Sequence, residues 1–163
     1  MILDEDEIIV SKTNLTGHIT YANRTFMRFA KFGERDLLGA PHSIIRHPDM
    51  PRCVFKLLWD KLAAREEVFA YVKNLSRDGA YYWVFAHVTP SLSPSGEVVG
   101  YHSNRRRPDP RVLSEVIVPL YGDLLAEEAR HQDRKAGLQA SGAKLQSLLE
   151  SKGVGYDELV FSL

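Results

Sequence analysis

Apolar positions along this chain first alternate with a period of two, then recur every third or fourth residue, then return to a period of two. Residues 8–13 form a short β-rich run, and Asn14-Leu15-Thr16-Gly17 leads into a second run at 18–22, so a hairpin is predicted. Asn23 stands where a helix N-cap belongs, with Phe26, Phe29 and Ala30 at helical spacing behind it. Gly33 and Gly39 then bound a second short helix over 34–38. From Pro51 onward Val54, Leu57, Leu58 and Leu62 mark one face of a longer helix, and proline suits its first turn. Three further β-like runs, at 68–75, 80–90 and 97–105, are separated by Ser76-Arg77-Asp78-Gly79 and by residues 91–96, which predicts an antiparallel meander. Two strands, several short helices and three strands make an α+β domain with a five-stranded antiparallel sheet and helices on one face.

Past Pro110 the pattern is helical only. Val112, Val116, Leu120, Leu124 and Leu125 continue at helical spacing, and Leu138, Leu145, Leu148 and Leu149 mark a second stripe that ends near Gly153. Pro119 is expected to kink this C-terminal extension, and Gly137 and Gly142 to weaken its middle, giving two or three helical pieces. The division predicted is an α+β domain over 8–107 and a helical extension over 108–163 that needs a partner surface.

Composition narrows the function classes. Lys plus Arg equals Asp plus Glu at 21 each, so no global field favours nucleic acid or anionic lipid. Arg105-Arg106-Arg107 is a local exception, read as a solvated strand end before the prolines at 108 and 110. The first seven residues lack the basic and apolar regions of a signal peptide and no stretch is long enough to cross a bilayer, so the expected location is the cytoplasm. The single cysteine, Cys53, excludes an internal disulfide and a cysteine-rich zinc site.

The densest chemistry lies in the run from His42 to Pro51, where two histidines, an arginine and an aspartate stand among prolines that hold His47 and Met50 extended. Arg46 has two readings, an ion pair to Asp49 or a charge-assisted contact to a bound cofactor. His47 is open to haem ligation, donation to a cofactor, or capping of the following helix. In the strand at 68–75, alternation places Val68, Ala70, Val72 and Asn74 on one face, small and apolar but ending in an amide that offers a donor and an acceptor. Trp83, one strand on, is by itself more simply a packing residue. No nucleophile and base stand at a recognised spacing and no glycine-rich phosphate loop is present, so no enzymatic activity and no metal site are expected.

Taken together, Ile19-Thr20-Tyr21-Ala22-Asn23, Pro41-His42, Ile45-Arg46-His47-Pro48-Asp49-Met50-Pro51, Val72-Lys73-Asn74 and Gly79 with Tyr82-Trp83-Val84 resemble a PAS domain of the bacterial aerotaxis-receptor type. The resemblance spans about residues 8–107. It implies the PAS fold and a noncovalently held FAD whose redox state is passed to a chemotaxis-type output. The residues it ties to FAD binding or signalling match Asn23, Arg46, His47, Asp49 and Asn74, and His42 and Trp83 lie in the same matching motifs. The family carries a tryptophan where this chain has Val68.

The function expected is a bacterial redox- or oxygen-sensing module for aerotaxis that signals through a partner protein, engaged by the tail from Arg111 to Leu163 or by the sheet surface. A homodimer paired through the tail is expected. The alternatives are a cofactor-free PAS dimerisation or adaptor unit and a haem gas sensor using His47 or His42. A light-driven cysteinyl adduct is disfavoured, because Cys53 does not stand in an Asn-Cys-Arg motif.

Overall fold

A computed structural model describes residues 1–161 and divides the chain into two compact units. The first consists of Met1–Pro48 and Lys61–Pro108; the second joins Asp49–Asp60 to the chain from Asp109 on.

The first unit holds a five-stranded antiparallel sheet of β1 (Ile9–Thr13), β2 (Ile19–Ala22), β3 (Val68–Leu75), β4 (Tyr81–Leu92) and β5 (Val98–Arg106), in the order β2-β1-β5-β4-β3. Each predicted strand is present, with ends within two residues of the expectation. The turns follow from local chemistry. Asn14 Oδ1 accepts from the amides of Thr16 and His18, and the Ser76 turn closes with Gly79, at φ 85°, donating to the Ser76 carbonyl.

Two short helices, α1 (Arg24–Ala30) and α2 (Glu34–Leu37), follow β2. Asn23 caps α1 as expected, its Oδ1 accepting from Phe26 N at 2.9 Å. After Pro41 the chain makes a 3₁₀ turn over His42–Ile45 and straightens at Arg46. Pro41 supplies a fixed φ at the start of that turn.

The core of this unit lies on one face of the sheet. Ile9, Ile19, Val68, Ala70, Val72, Val84 and Ala86 are buried there, together with Phe26, Phe29, Leu37 and Ile45 from the segments between β2 and β3. These are the small, apolar positions that alternation assigned to the inner face of β3, and β4 contributes its Tyr82, Val84, Ala86 set.

The second unit is helical. It takes in the greater part of α3 (Arg52–Ala63), then α4 (Pro110–Val112), a π turn (Leu113–Ile117), α5 (Val118–Ala129), α6 (Arg134–Lys152) and α7 (Tyr156–Phe161). Pro119 does not interrupt the helical run. It has no N–H for the carbonyl four residues back and its ring would collide there, and the π turn just before α5 widens the chain to accommodate it.

The buried positions of α5 are Ile117 just before it, then Tyr121, Leu124 and Glu128, a phase one residue off the expected stripe. On α6 they are Gly137, Ser141, Leu145 and Leu149. Gly137 does not weaken α6. A Cβ there would lie 2.7 Å from the Glu128 carbonyl oxygen, so glycine is what lets the two helices approach. The α6 stripe is therefore covered by the chain's own α5, and Gly153 ends the helix in the left-handed conformation at φ 64°. The last two residues of the predicted tail lie outside the described residues. Among the described residues no helix is long and apolar enough to cross a membrane.

Candidate functional site

Strand register assembles a polar layer inside the otherwise apolar sheet core. Ile9, Arg105, Ala86 and Ala70 are successive cross-strand partners through β1, β5, β4 and β3, and Asn74 pairs with Tyr82 on the same face of β3 and β4. The row that carries the longest side chain also carries the two alanines. Arg105 is 2% exposed, Asn74 3% and Tyr82 fully buried. The reading of Arg105 as a solvated strand end is thus overturned: the period of two along β5 sends it inward while Arg106 points out.

The donors of this layer outnumber its acceptors. Arg105 Nη2 donates to Ser11 Oγ at 2.6 Å, and the guanidinium lies 4.4 Å from the centroid of the Phe26 ring. Its Nε and Nη1, together with Asn74 Nδ2 and Tyr82 Oη, have no hydrogen-bond partner. No carboxylate among the described residues pairs with Arg105; the neighbouring titratable groups are Tyr82 and His42. Unsatisfied buried donors cost about 1–3 kcal/mol each, more when charged, so four in one place make this layer the candidate site.

His42 joins the layer from the 3₁₀ turn. Its ring stacks on Phe26 at 5.9 Å, and Nε2 lies 3.1 Å from Ser11 Oγ. Ser11 accepts from Arg105 and keeps its own proton to donate to His42 Nε2 when that nitrogen is unprotonated. Removal of the ring from water and the Arg105 charge lower the His42 pKa to about 3. Burial likewise pushes the Tyr82 hydroxyl up to about 12 and lowers Arg105 to about 10, which still leaves Arg105 cationic at neutral pH.

The other expected residues distribute as follows. Arg46 forms an isolated antiparallel bridge with Asn74, so the backbone of the proline-rich run docks on the edge strand beside the buried amide. His47 packs edge-on to Tyr81 at 5.7 Å and is half-buried. Asn23 is committed to the backbone: besides capping α1 it accepts from Val10 N and donates to Ile8 O, tying β1 to the helix. Trp83 lies on the face of β4 opposite Tyr82, with Phe85 and His87, and is not part of the buried layer. Asp49 is exposed and falls in the second unit. Ser11, Tyr82 and Arg105 were missed as site residues. The signal for Arg105 was the strand alternation itself, hidden by reading three arginines in a row as a charge run.

A family model described as the PAS fold matches residues 19–105. The chain belongs to the PAS family. It is 35% identical over 164 residues to the aerotaxis receptor of Escherichia coli (strain K12), a match covering 99% of this chain and 32% of the receptor. It is 29% identical over 105 residues to a nitrogen fixation regulatory protein of Klebsiella pneumoniae, covering 64% of this chain and 21% of that protein. This PAS chain thus spans a third or less of the length of the curated relatives it matches. These relatives are a receptor and a regulatory protein rather than enzymes, in line with the non-enzymatic reading. Among solved structures, the light state of the blue-light photoreceptor Aureochrome1 LOV domain matches with a TM-score of 0.60 at 18% identity, covering 68% of this chain and 89% of that one. That likeness supports the α+β PAS fold, five strands with helices.

The PAS core also fits an acceptor-rich planar ligand such as the flavin that the resemblance implies. Small residues face inward on β3, and the unsatisfied donors sit on the same face. A flavin's two ring carbonyls and its N1 and N5 are acceptors, which is what this layer lacks.

Proposed function

We propose that this PAS domain holds FAD noncovalently and reports its redox state to a partner protein in an aerotaxis-type signalling pathway. The observation that carries the reading is the set of buried, unpartnered donors on Asn74, Tyr82 and Arg105, in a family whose relative at 35% identity is an aerotaxis receptor. When bound, the flavin supplies reversible two-electron chemistry.

The chain's own residues do the rest. Arg105 and Tyr82 donate to acceptor edges of the ring from the sheet, while Asn74 offers an amide whose hydrogen bonding responds to protonation at the flavin's N5. Arg46, bridged to Asn74 on the edge of β3, and its neighbour His47, against Tyr81, border the ligand and carry any shift of Asn74 into the backbone of the 42–48 segment. Ser11 holds Arg105 through its hydroxyl, and His42 in turn contacts Ser11. The signal leaves through a partner protein, with the helical extension or the sheet surface as the docking element, and the sensor works in the cytoplasm.

The test is the absorption spectrum of freshly purified protein, with the released cofactor identified by chromatography after heat denaturation. Oxidised-flavin bands and released FAD are expected. A featureless spectrum that stays so after incubation with excess FAD overturns the reading in favour of a cofactor-free adaptor, and a Soret band overturns it in favour of a haem sensor.

A further inference from the structure

Arg105 is the point at which the core departs most from what folding alone requires. It is a cation, 2% exposed, with one hydrogen bond to a hydroxyl, one aromatic face beneath it and no acidic partner among the described residues. A buried charge is normally matched by an opposite charge, because Coulombic attraction must offset the loss of water. Here the titratable side chains around it make matters no better. His42 is kept neutral, Tyr82 is kept protonated, and Ser11 and Asn74 carry no charge. Arg105 Nε and Nη1 are left as donors for a group of opposite charge.

Resting on the flavin reading above, we infer that Arg105 is the counterion for the reduced ligand, making the pocket bind the reduced, anionic flavin more tightly than the oxidised one. Two electrons from an external reductant and one proton delivered to N5 convert the neutral oxidised ring into an anion with its charge spread over N1 and the adjoining carbonyl. The unpartnered Nε–H and Nη1–H groups of Arg105 are charge-assisted donors to such an edge. Preferential binding of the reduced state raises the midpoint potential of the bound flavin above that of the free one, so Arg105 determines at what level of cellular reductant the sensor switches. It is a positioning and tuning residue, and Asn74 remains the group that responds at N5.

The test uses the full chain as wild type, Arg105→Met and Arg105→Lys. Midpoint potentials are measured by equilibration with a dye of known potential under dithionite reduction, alongside melting of each protein stripped of flavin. Arg105→Met should reduce the preference for the reduced state by roughly tenfold or more, a fall of about 30 mV for a two-electron couple. Arg105→Lys, which keeps the charge, should fall less. Stripped Arg105→Met should melt at or above the wild-type temperature, because an uncompensated charge has left the core.

A potential unchanged in Arg105→Met overturns the inference while leaving the flavin reading intact. Equal loss of oxidised and reduced flavin from folded Arg105→Met also overturns it, since Arg105 would then anchor both states alike. Lower melting of the stripped Arg105→Met protein would assign Arg105 to the fold, again against the inference. Wild-type protein that takes up no flavin in either state removes the reading and the inference together.

Discussion

Arg105 and Glu128 are both charged and both almost completely buried, yet their surroundings answer that cost in opposite ways. Glu128, 6% exposed in the helical unit, accepts from Arg52 N at 2.7 Å, Arg52 Nε at 2.8 Å, Cys53 N at 3.3 Å and Ser141 Oγ at 3.0 Å. The carboxylate caps the first amides of α3, where the helix dipole favours an anion, and pairs with the guanidinium beside it. Its neighbour Cys53 is held as an inert thiol, its pKa raised by burial. Arg105, in the sheet unit, has two of its three nitrogens idle. A charge whose every partner is protein belongs to the fold; one whose partners are missing belongs to a ligand.

The largest effect expected from this contrast is at Glu128. Glu128→Ala should destabilise the protein by about 3 kcal/mol or more in urea unfolding, because it strands the α3 amides and Arg52. A loss under 1 kcal/mol would break the comparison. Gly137→Ala should cost about 1–3 kcal/mol, since its Cβ meets backbone rather than a flexible side chain.

His42 comes next. Its folded pKa of about 3 lies below the unfolded 6.5, so the unfolded chain binds the extra proton between those values. Stability therefore falls as pH drops from about 6.5 toward 3, by at most about 1.4 kcal/mol per pH unit, and is unaffected above that window. His42→Gln should flatten the slope, as followed by thermal melts across the range. The smallest effect is at Tyr82. Tyr82→Phe should leave flavin-free protein within about 1 kcal/mol of wild type, because the hydroxyl has no partner to lose, while weakening FAD binding by up to about tenfold.

The sheet was legible because its period-two runs are bounded by strong turn residues: Asn14 to Gly17, Ser76 to Gly79 and the 91–96 segment all close as read. Asn74 was legible for the same reason, since alternation along β3 put it on the small-residue face. Arg105 was not, because three consecutive arginines look like a solvated run until the strand is laid beside β4 and every second residue turns inward. Ser11 and Tyr82 acquire meaning only through Arg105, a relation between strands that local pattern does not contain.

The helical extension shows the same division. Its helices were foreseen, but the π turn before Pro119 and the buried Glu128 depend on packing, and Gly137 reads as a weak point until the neighbouring helix is in view. Trp83 was placed with the cofactor by a motif match, and the pleat turns it to the face of β4 opposite Tyr82.

The most direct test of the account is a titration of flavin-free protein with FAD, read by flavin fluorescence and by the stability of each mixture. The account predicts saturation at one FAD per chain, with stabilisation growing to about 2.7 kcal/mol at a hundredfold excess over Kd, and both signals weakened together in Tyr82→Phe. Folded protein that neither saturates nor gains stability would contradict it, leaving Arg105 and its idle donors without the ligand that explains them.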